Sequence, residues 1–458
     1  AMPPGDTDPD HEALYGAGMD GTAMNNQLPE AFVRRMRDQL GNELSAFLHA
    51  LDEAPVRGIR LNPLKKTDAA EKLTAGERIS WEKNGYYLDA ESNAGSMILH
   101  EAGAWYIQEP GAMMPAAVLA AKPGEKVLDL CAAPGGKSTQ AGCAMRGEGL
   151  LVCNEPVPKR AAILSRNIER MGLPNTVVTC ARPEQLAEKW PEAFDAVLVD
   201  VPCSGEGMFR RDPETRDEWT AEKAEGCAER QREILREAAK MVRPGGRLVY
   251  STCTYNPQEN EENAAWFVRT FPEFYPEAFE LPGISAPDGI YTCYPHRIKG
   301  EGQFAALFRK DGDRDIRMPG DSSLALPAKN DKAVFRNLFP VFPEATHLLG
   351  NTLIFMPEMP DAKGIRILRA GLHLGEVRGK IAVPDHAAAV CFRAPEMPCR
   401  IMNADTAVKY MNGETVSGEE TGWILMKYED LVLGWGKGSA GMIKNHYPKG
   451  LRGPYYIP

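Results

Sequence analysis

The sequence predicts an α/β fold, a mostly parallel sheet covered by helices on both faces, with a smaller domain at each end. Three observations carry this. From residue 99 to 310, near-continuous apolar runs alternate with helical stretches; strands buried on both faces read this way, whereas a one-sided sheet alternates apolar with polar residues. Ahead of that region, apolar residues recur at helical spacing. Behind it, a charged stretch punctuated by Pro and Gly precedes short β-like runs separated by glycine turns.

In chain order, residues 1–29 are acidic, rich in Pro and Gly, and lack a hydrophobic signal core, so they read as a flexible tail whose Ala-Met start resembles an expression scar. LPEAFVRRMRDQLGNELSAFLHAL has helical periodicity from Phe32 to Leu51, and RGIRLNPLK follows as a strand and turn, giving a compact N-terminal domain over 30–98. Within 99–310 the strands are KVLDLCA, GLLVCNE, TVVTCA, DAVLVDVP and GRLVYSTCT, and the helices STQAGCAMR, PKRAAILSRNIERMG and AERQREILREAAKMVR. DGDRDIRMPGDSSLALPAKNDK (311–332) reads as a linker. The region 333–458, with TLIFM, WILMKY and LVLGWG, reads as a small α+β or barrel domain.

Composition narrows the classes. Hydrophobic residues at 43% and charged residues at 25% are ordinary for a globular chain, and no apolar run approaches the ~18 residues of a membrane helix. Ten cysteines without a CxxC pair favour free thiols in a reducing cytoplasm over zinc or disulfides. The net charge of −10 is uneven: residues 1–110 hold 10 Lys+Arg against 18 Asp+Glu, whereas 363–458 hold 13 against 9. A polyanion would therefore meet local patches, the C-terminal one included, and not the whole surface.

VLDLCAAPGGKSTQ (127–140) ends like a nucleotide phosphate loop. The Walker pattern, however, needs glycine where Cys131 stands, and Cys-Ala-Ala-Pro replaces the first glycine of a dinucleotide fingerprint. Open parallel sheets bind ligands at the carboxyl ends of their strands. Four segments fall there: Cys131–Lys137, Asn154-Glu155, Asp200–Ser204 and Ser251–Tyr255. An acid 26 residues beyond Asp129 suits a ribose diol, and without a phosphate cradle the fitting ligand is a nucleoside, S-adenosylmethionine being the common one.

Asp200-Val-Pro-Cys203 and Ser251-Thr-Cys253 each place a thiol just past a strand end. One such cysteine is ordinarily a small buried hydrophobe; two, with an aspartate beside one, suit another chemistry. Cytosine C5 is a poor nucleophile until a thiolate adds at C6 and turns the ring into an enamine. A carboxyl group bonded to N3 and the exocyclic amine stabilises the developing charge, and a base then removes the C5 proton. Cys253, Asp200 and Cys203 supply these parts, with Lys137 as an orienting cation; the spacing does not say which thiol attacks.

LDLCAAPGGKS, NEPVPKR, DVPCSGEGMFRRDP and YSTCTYNPQENE resemble the signature blocks of the Nop/Sun (Fmu-type) RNA cytosine-5 methyltransferases, in order and spacing. HEAGAWYIQEPGAMMPA and YPHRIKGEGQFAALFRK resemble the flanking blocks, and GWGKGSAGMIKNHYPKGLR resembles the PUA-like C-terminal domain of bacterial RsmF-type 16S ribosomal RNA enzymes. The resemblance covers residues 30 to 458. It implies a Rossmann-like S-adenosylmethionine-dependent methyltransferase core with a small N-terminal α+β domain and a PUA-like domain. It further implies that Cys131, Ala132, Ala133, Pro134, Gly135, Gly136, Lys137 and Glu155 hold S-adenosyl-L-methionine, with Arg160 helping. By the same resemblance Asp200 contacts both base and cofactor, Cys253 is the nucleophile and Cys203 promotes product release; enzymes acting on DNA cytosines use the Pro-Cys thiol instead, here Cys203. After the third strand the family tends to place an acid or amide near the adenine. This chain reads Thr-Cys180-Ala-Arg182-Pro, which leaves backbone groups for that contact and Arg182 without a role. The implied partner is ribosomal RNA or the small ribosomal subunit, met as a monomer by Met208-Phe209-Arg210-Arg211, the N-terminal domain, and Lys437, Lys444, Lys449 and Arg452, with the target base splayed out.

Two other classes compete. A catalytically idle RNA-binding factor would lack Cys253 or Asp200, and both are present. A phosphate-loop ATPase is opposed by Cys131 and would be revived by thermal stabilisation with ATP and magnesium.

Overall fold

The computed structural model describes residues 28–455 apart from 74–75, 314–317, 319, 321–323, 392–395 and 454. The expected tail falls outside the described residues except for Leu28 and Pro29, and part of the expected linker does too. Helices α1 (Glu30–Leu40) and α2 (Leu44–Asp52) split the single periodic stretch at Gly41, whose φ of 53° ends α1. Strands β1 (Arg57–Leu61), β2 (Gly85–Leu88) and β3 (Trp105–Ile107) form an antiparallel sheet with β1 in the middle.

The central sheet contains β4 (Lys126–Asp129), β5 (Leu150–Asn154), β6 (Thr176–Thr179), β7 (Phe194–Asp200), β8 (Val242–Thr252), β9 (Phe274–Pro276), β10 (Ile290–Cys293), β11 (Gln303–Lys310) and β12 (Ile367–Ala370). Its order is β10-β11-β8-β7-β4-β5-β6-β12, with β9 also on β11. The five strands from β8 to β6 are parallel, and β11 and β12 run against their neighbours. Successive strand residues feed opposite cores. Leu128, Val152, Val197 and Leu248 face α5 (Pro183–Lys189), α6 (Ala221–Met241) and α7 (Glu261–Thr270). Val127, Leu151, Leu198 and Val249 face α3 (Gly136–Met145) and α4 (Pro158–Met171). Each such side chain, fully buried, contributes about 1.5–3 kcal/mol. Local chemistry sets the helix ends. Pro158 opens α4, Gly172 at φ 76° closes it, and the Thr220 hydroxyl caps α6 through Lys223 N.

The chain beyond 333 is more entangled with the core than its sequence implies. Its residues 367–370 form β12, which extends the catalytic sheet along β6. Arg369 pairs with Glu169 of α4, and Trp190 Nε1 donates to Asp361 O at 2.9 Å. The remainder builds a four-stranded sheet (347–384) and a five-stranded one (399–445); Met426 of the second and Tyr410 of the helix Ala404–Met411 share a buried core with Ile59 and Trp105 of the N-terminal sheet. The stretch expected as a linker ends inside a helix, Lys329–Leu338. No helix among the described residues is long and apolar enough to cross a membrane.

Candidate active site

Strand order reverses at β4, which has β5 on one side and β7 on the other, and all four expected segments emerge at that end of the sheet. Asn154, fully buried at the tip of β5, ties three loops together: Nδ2 donates to Leu130 O (3.1 Å) and Ala181 O (3.0 Å), and Oδ1 accepts from Ala181 N (3.1 Å).

In the loop after β4, Ala133–Pro134 is a cis peptide and Gly135 has φ 115°, a conformation that L side chains rarely adopt; a Cβ there would lie 3.2 Å from Leu164 Cδ1. Asn167 of α4 donates to Pro134 O, and the buried Arg60 of β1 reaches Gly136 O (3.1 Å) and Thr139 Oγ1 (2.7 Å). Glu155 is buried, accepts from Val157 N and pairs with Arg160 at 3.3 Å; Arg160 also reaches Ala133 O. At the loop's base Asp129 accepts from Ser138 Oγ at 2.6 Å, while its Oδ1 is buried with no partner among the described residues. Burial pushes Asp129 up to about 7, against the opposing hydrogen bond from Ser138. An open backbone cradle beside two buried carboxylates, one with an unpaired oxygen, fits an uncharged nucleoside carrying a cationic group better than it fits phosphates.

After β6 the amide N–H groups of residues 180–182 bond within the protein. Cys180 N bonds Arg366 O, Ala181 N bonds Asn154 Oδ1, and Arg182 N bonds Gln185 Oε1 at the start of α5.

Lys137 Nζ lies 2.8 Å from Asp200 Oδ2. Burial alone would lower the lysine, but the carboxylate outweighs it and holds Lys137 above its ordinary value. Gln303 of β11 bridges Ser251 Oγ (2.5 Å) and Asp200 Oδ1 (3.4 Å). Cys203 and Cys253 bring their sulfurs to 3.0 Å, and Cys253 N donates to Cys203 Sγ at 3.3 Å. The Cys253 thiol and burial together push Cys203 well above the usual thiol range, and burial and nearby carboxylates push Cys131 up too.

The basic residues divide. Phe209 is fully buried against Phe32 of α1, with ring centroids 5.0 Å apart. Arg210 is 6% exposed, with Nε on both Glu301 oxygens (3.1 and 2.9 Å), Nη1 on Ala50 O and Nη2 on Gly300 O. The expectation that these two meet RNA is therefore corrected: they form the wall between α2 and the catalytic loops. Arg211 is exposed, as are Lys437, Lys444, Lys449 and Arg452. Sequence reasoning missed Arg60, Ser138, Glu206 and Gln303. Glu206 and Gln303 lie inside the quoted blocks, but nothing in the sequence says which neighbours they meet.

Family models match four consecutive segments: the N-terminal domain of 16S rRNA methyltransferase RsmF (28–110), 16S rRNA methyltransferase RsmB/F (116–309), the RsmF first C-terminal domain (334–392) and the RsmF PUA domain (402–453). The ribosomal RNA small subunit methyltransferase F of Escherichia coli O127:H6 is 31% identical over 92% of this chain and 96% of its own length. Among solved structures, PH0851 aligns with TM-score 0.59 at 27% identity over 68% of this chain and 70% of that one. A methyltransferase homolog protein from Pyrococcus horikoshii aligns with TM-score 0.55 at 27% identity over 62% and 96%.

Proposed function

This chain belongs to the family of RsmF-type 16S ribosomal RNA methyltransferases, and from that premise we propose that it methylates C5 of cytosine in small-subunit ribosomal RNA through a transient Cys253–C6 bond. The observation that carries the mechanism is the 3.0 Å approach of two thiols beside the Lys137–Asp200 pair.

S-adenosyl-L-methionine, when bound, supplies a methyl group on a sulfonium. The 131–136 loop and Glu155 would hold it, with Glu155 accepting from the ribose hydroxyls and Arg160 supporting the loop through Ala133 O. Asp200, steadied by Lys137 and Gln303, faces N3 and the amine of the cytosine. The family resemblance makes Cys253 the sulfur that attacks C6, its proton passing to solvent, while the neighbouring thiol and burial keep Cys203 protonated in the resting enzyme. Once Cys253 is bonded to carbon, the thiol contact that raised Cys203 is gone; Cys203 releases its own proton to solvent and, as thiolate, takes the proton from C5. Loss of that proton restores the C5–C6 double bond and expels Cys253 as thiolate. Lys437, Lys444, Lys449, Arg452 and Arg211 supply the cationic contacts to a single-stranded segment.

Replacing each thiol tests the assignment. Cys253→Ala abolishes methyl transfer and any covalent RNA adduct, whereas Cys203→Ala accumulates the adduct because attack proceeds and elimination stalls. Adducts that vanish with Cys203→Ala and persist with Cys253→Ala reverse the two roles. Full turnover by Cys253→Ala rejects covalent catalysis.

A further inference from the structure

The two thiol loops share a buried carboxylate that lies on neither thiol's strand. Glu206 follows Cys203 by three residues and is fully buried. Its Oε1 accepts from Trp219 Nε1 at 3.0 Å; its Oε2 accepts from Tyr255 N at 3.1 Å and from Arg35 Nη2 at 2.6 Å. Tyr255 follows Cys253 by two residues, so this one side chain bonds the backbone of the other loop. The next residue adds a second tie, Gly207 N to Cys253 O at 2.9 Å. That approach requires glycine, because a Cβ at 207 would lie 2.8 Å from Cys253 O and 2.5 Å from Gly302 O.

The cation that balances Glu206 comes from α1, outside the catalytic domain. The Arg35 guanidinium lies 5.5 Å from the Phe32 ring centroid and 5.9 Å from that of Trp219, and Trp219 also bonds the carboxylate. Arg35, Trp219 and Tyr255 N thus hold Glu206 from three directions. A buried carboxylate keeps its charge only with such partners, and its strongest contact belongs to the N-terminal helix.

Adding sulfur at C6 and removing a proton from C5 are events on adjacent ring atoms, so both sulfurs must stay in register with one base. A misplacement of about 1 Å at such a centre costs on the order of 100-fold in rate. We propose that the Arg35–Glu206 pair is a positioning device for methyl transfer, which lets α1 fix the spacing of Cys203 and Cys253. This rests on the thiol chemistry proposed above.

The test uses the full chain, unmodified small-subunit ribosomal RNA and labelled S-adenosylmethionine, with steady-state kcat and KM and gel-stable protein–RNA adduct measured together. Glu206→Gln and Arg35→Met lower kcat by about 10- to 100-fold, leave KM for RNA and donor within about twofold, and change the ratio of trapped adduct to product. Arg35→Lys restores part of the rate by returning the charge. If Glu206→Gln does not fold, Arg35→Met, whose side chain is 24% exposed, carries the test.

An unchanged kcat and adduct ratio in folded Arg35→Met overturns the proposal. So does a rise in KM for RNA with kcat preserved, which makes Arg35 an RNA contact. A lower melting temperature with an unchanged adduct ratio overturns it as well, leaving a structural tie. If the wild type forms no adduct and Cys253→Ala is fully active, the thiol reading fails; a normal wild-type adduct with unaltered variants sinks this proposal alone.

Discussion

Arg210 and Lys437 come from similar text, Gly-Met-Phe-Arg-Arg and Gly-Trp-Gly-Lys-Gly, each setting a cation within two residues of an aromatic, and they end in opposite environments. Arg210 is enclosed by a carboxylate and two carbonyls in the wall behind the thiol loops. Lys437 is exposed on the five-stranded sheet, its Nζ 5.2 Å from the Trp423 centroid, directly across from Lys444. Trp423 in turn has the His446 ring 4.4 Å away. A guanidinium presents five donors in a planar fork and can satisfy several buried acceptors at once, whereas an ammonium is a strongly hydrated point charge. Beside the thiol loops Arg210 serves as structure, whereas its neighbour Arg211 and the lysines of the C-terminal sheet stay exposed.

The largest expected effect lies on the buried side of that contrast. Arg210→Ala leaves Glu301, 1% exposed, without its cation and with only the Val56 N–H on its carboxylate. Breaking such a pair costs about 3–5 kcal/mol, read as a lower urea midpoint with an unchanged slope. Arg210→Lys recovers little, because one ammonium cannot replace the fork on Glu301 together with the bonds to Ala50 O and Gly300 O. A variant as stable as the parent but weaker on RNA erases the distinction between the two regions.

The same contrast marks what sequence reasoning can reach. The parallel core was legible because strands such as Leu150–Asn154 are buried on both faces, so their apolar runs are unbroken and their ends stand out. The convergence of Cys203 and Cys253 followed from two strand ends in one sheet. Which basic residues face solvent did not follow, since Phe209 and Arg210 take their burial from α1 and α2, about 160 residues earlier in the chain. Strand β12 was equally hidden: Ile-Leu-Arg-Ala is short, and its pairing with β6 is set by Thr176 and Thr179, far away in sequence. Glu206 and Gln303 belong to the same class, polar side chains whose partners are chosen by packing and not by spacing.

Asp129 sharpens the comparison at intermediate size. Its folded value of about 7 lies above the ordinary 3.8. Between about pH 4 and 7 the folded protein therefore keeps a proton that the unfolded chain has released. Stability from this group is whole below pH 4, falls as pH rises, and is lost above 7. Asp129→Asn, which still accepts from Ser138, has no such loss. Its stability relative to the parent rises by about 2–4 kcal/mol between pH 4 and pH 8, measured by denaturant midpoints at both. A difference that is flat with pH means Asp129 is already ionised when folded and the cleft does not strain its charges.

The smallest effect on stability is expected where the cations are exposed. Lys437 and Lys444 face each other across β-strands, and like charges so placed are mildly unfavourable; replacing both with alanine should move stability by no more than about 0.5 kcal/mol. RNA binding is the sensitive readout. Each phosphate contact on a single strand contributes about 0.7 to the slope of log affinity against log salt, so losing two lowers the slope by about 1.4 while leaving single-turnover methylation at saturating RNA unchanged. Arg211→Ala, an exposed neighbour of the buried Arg210, lowers it by about 0.7 if that side chain reaches a phosphate and not at all if it only faces water. A double variant with an unaltered salt slope would place the polyanion on some other surface, and the C-terminal lysines would then be only solvated charge.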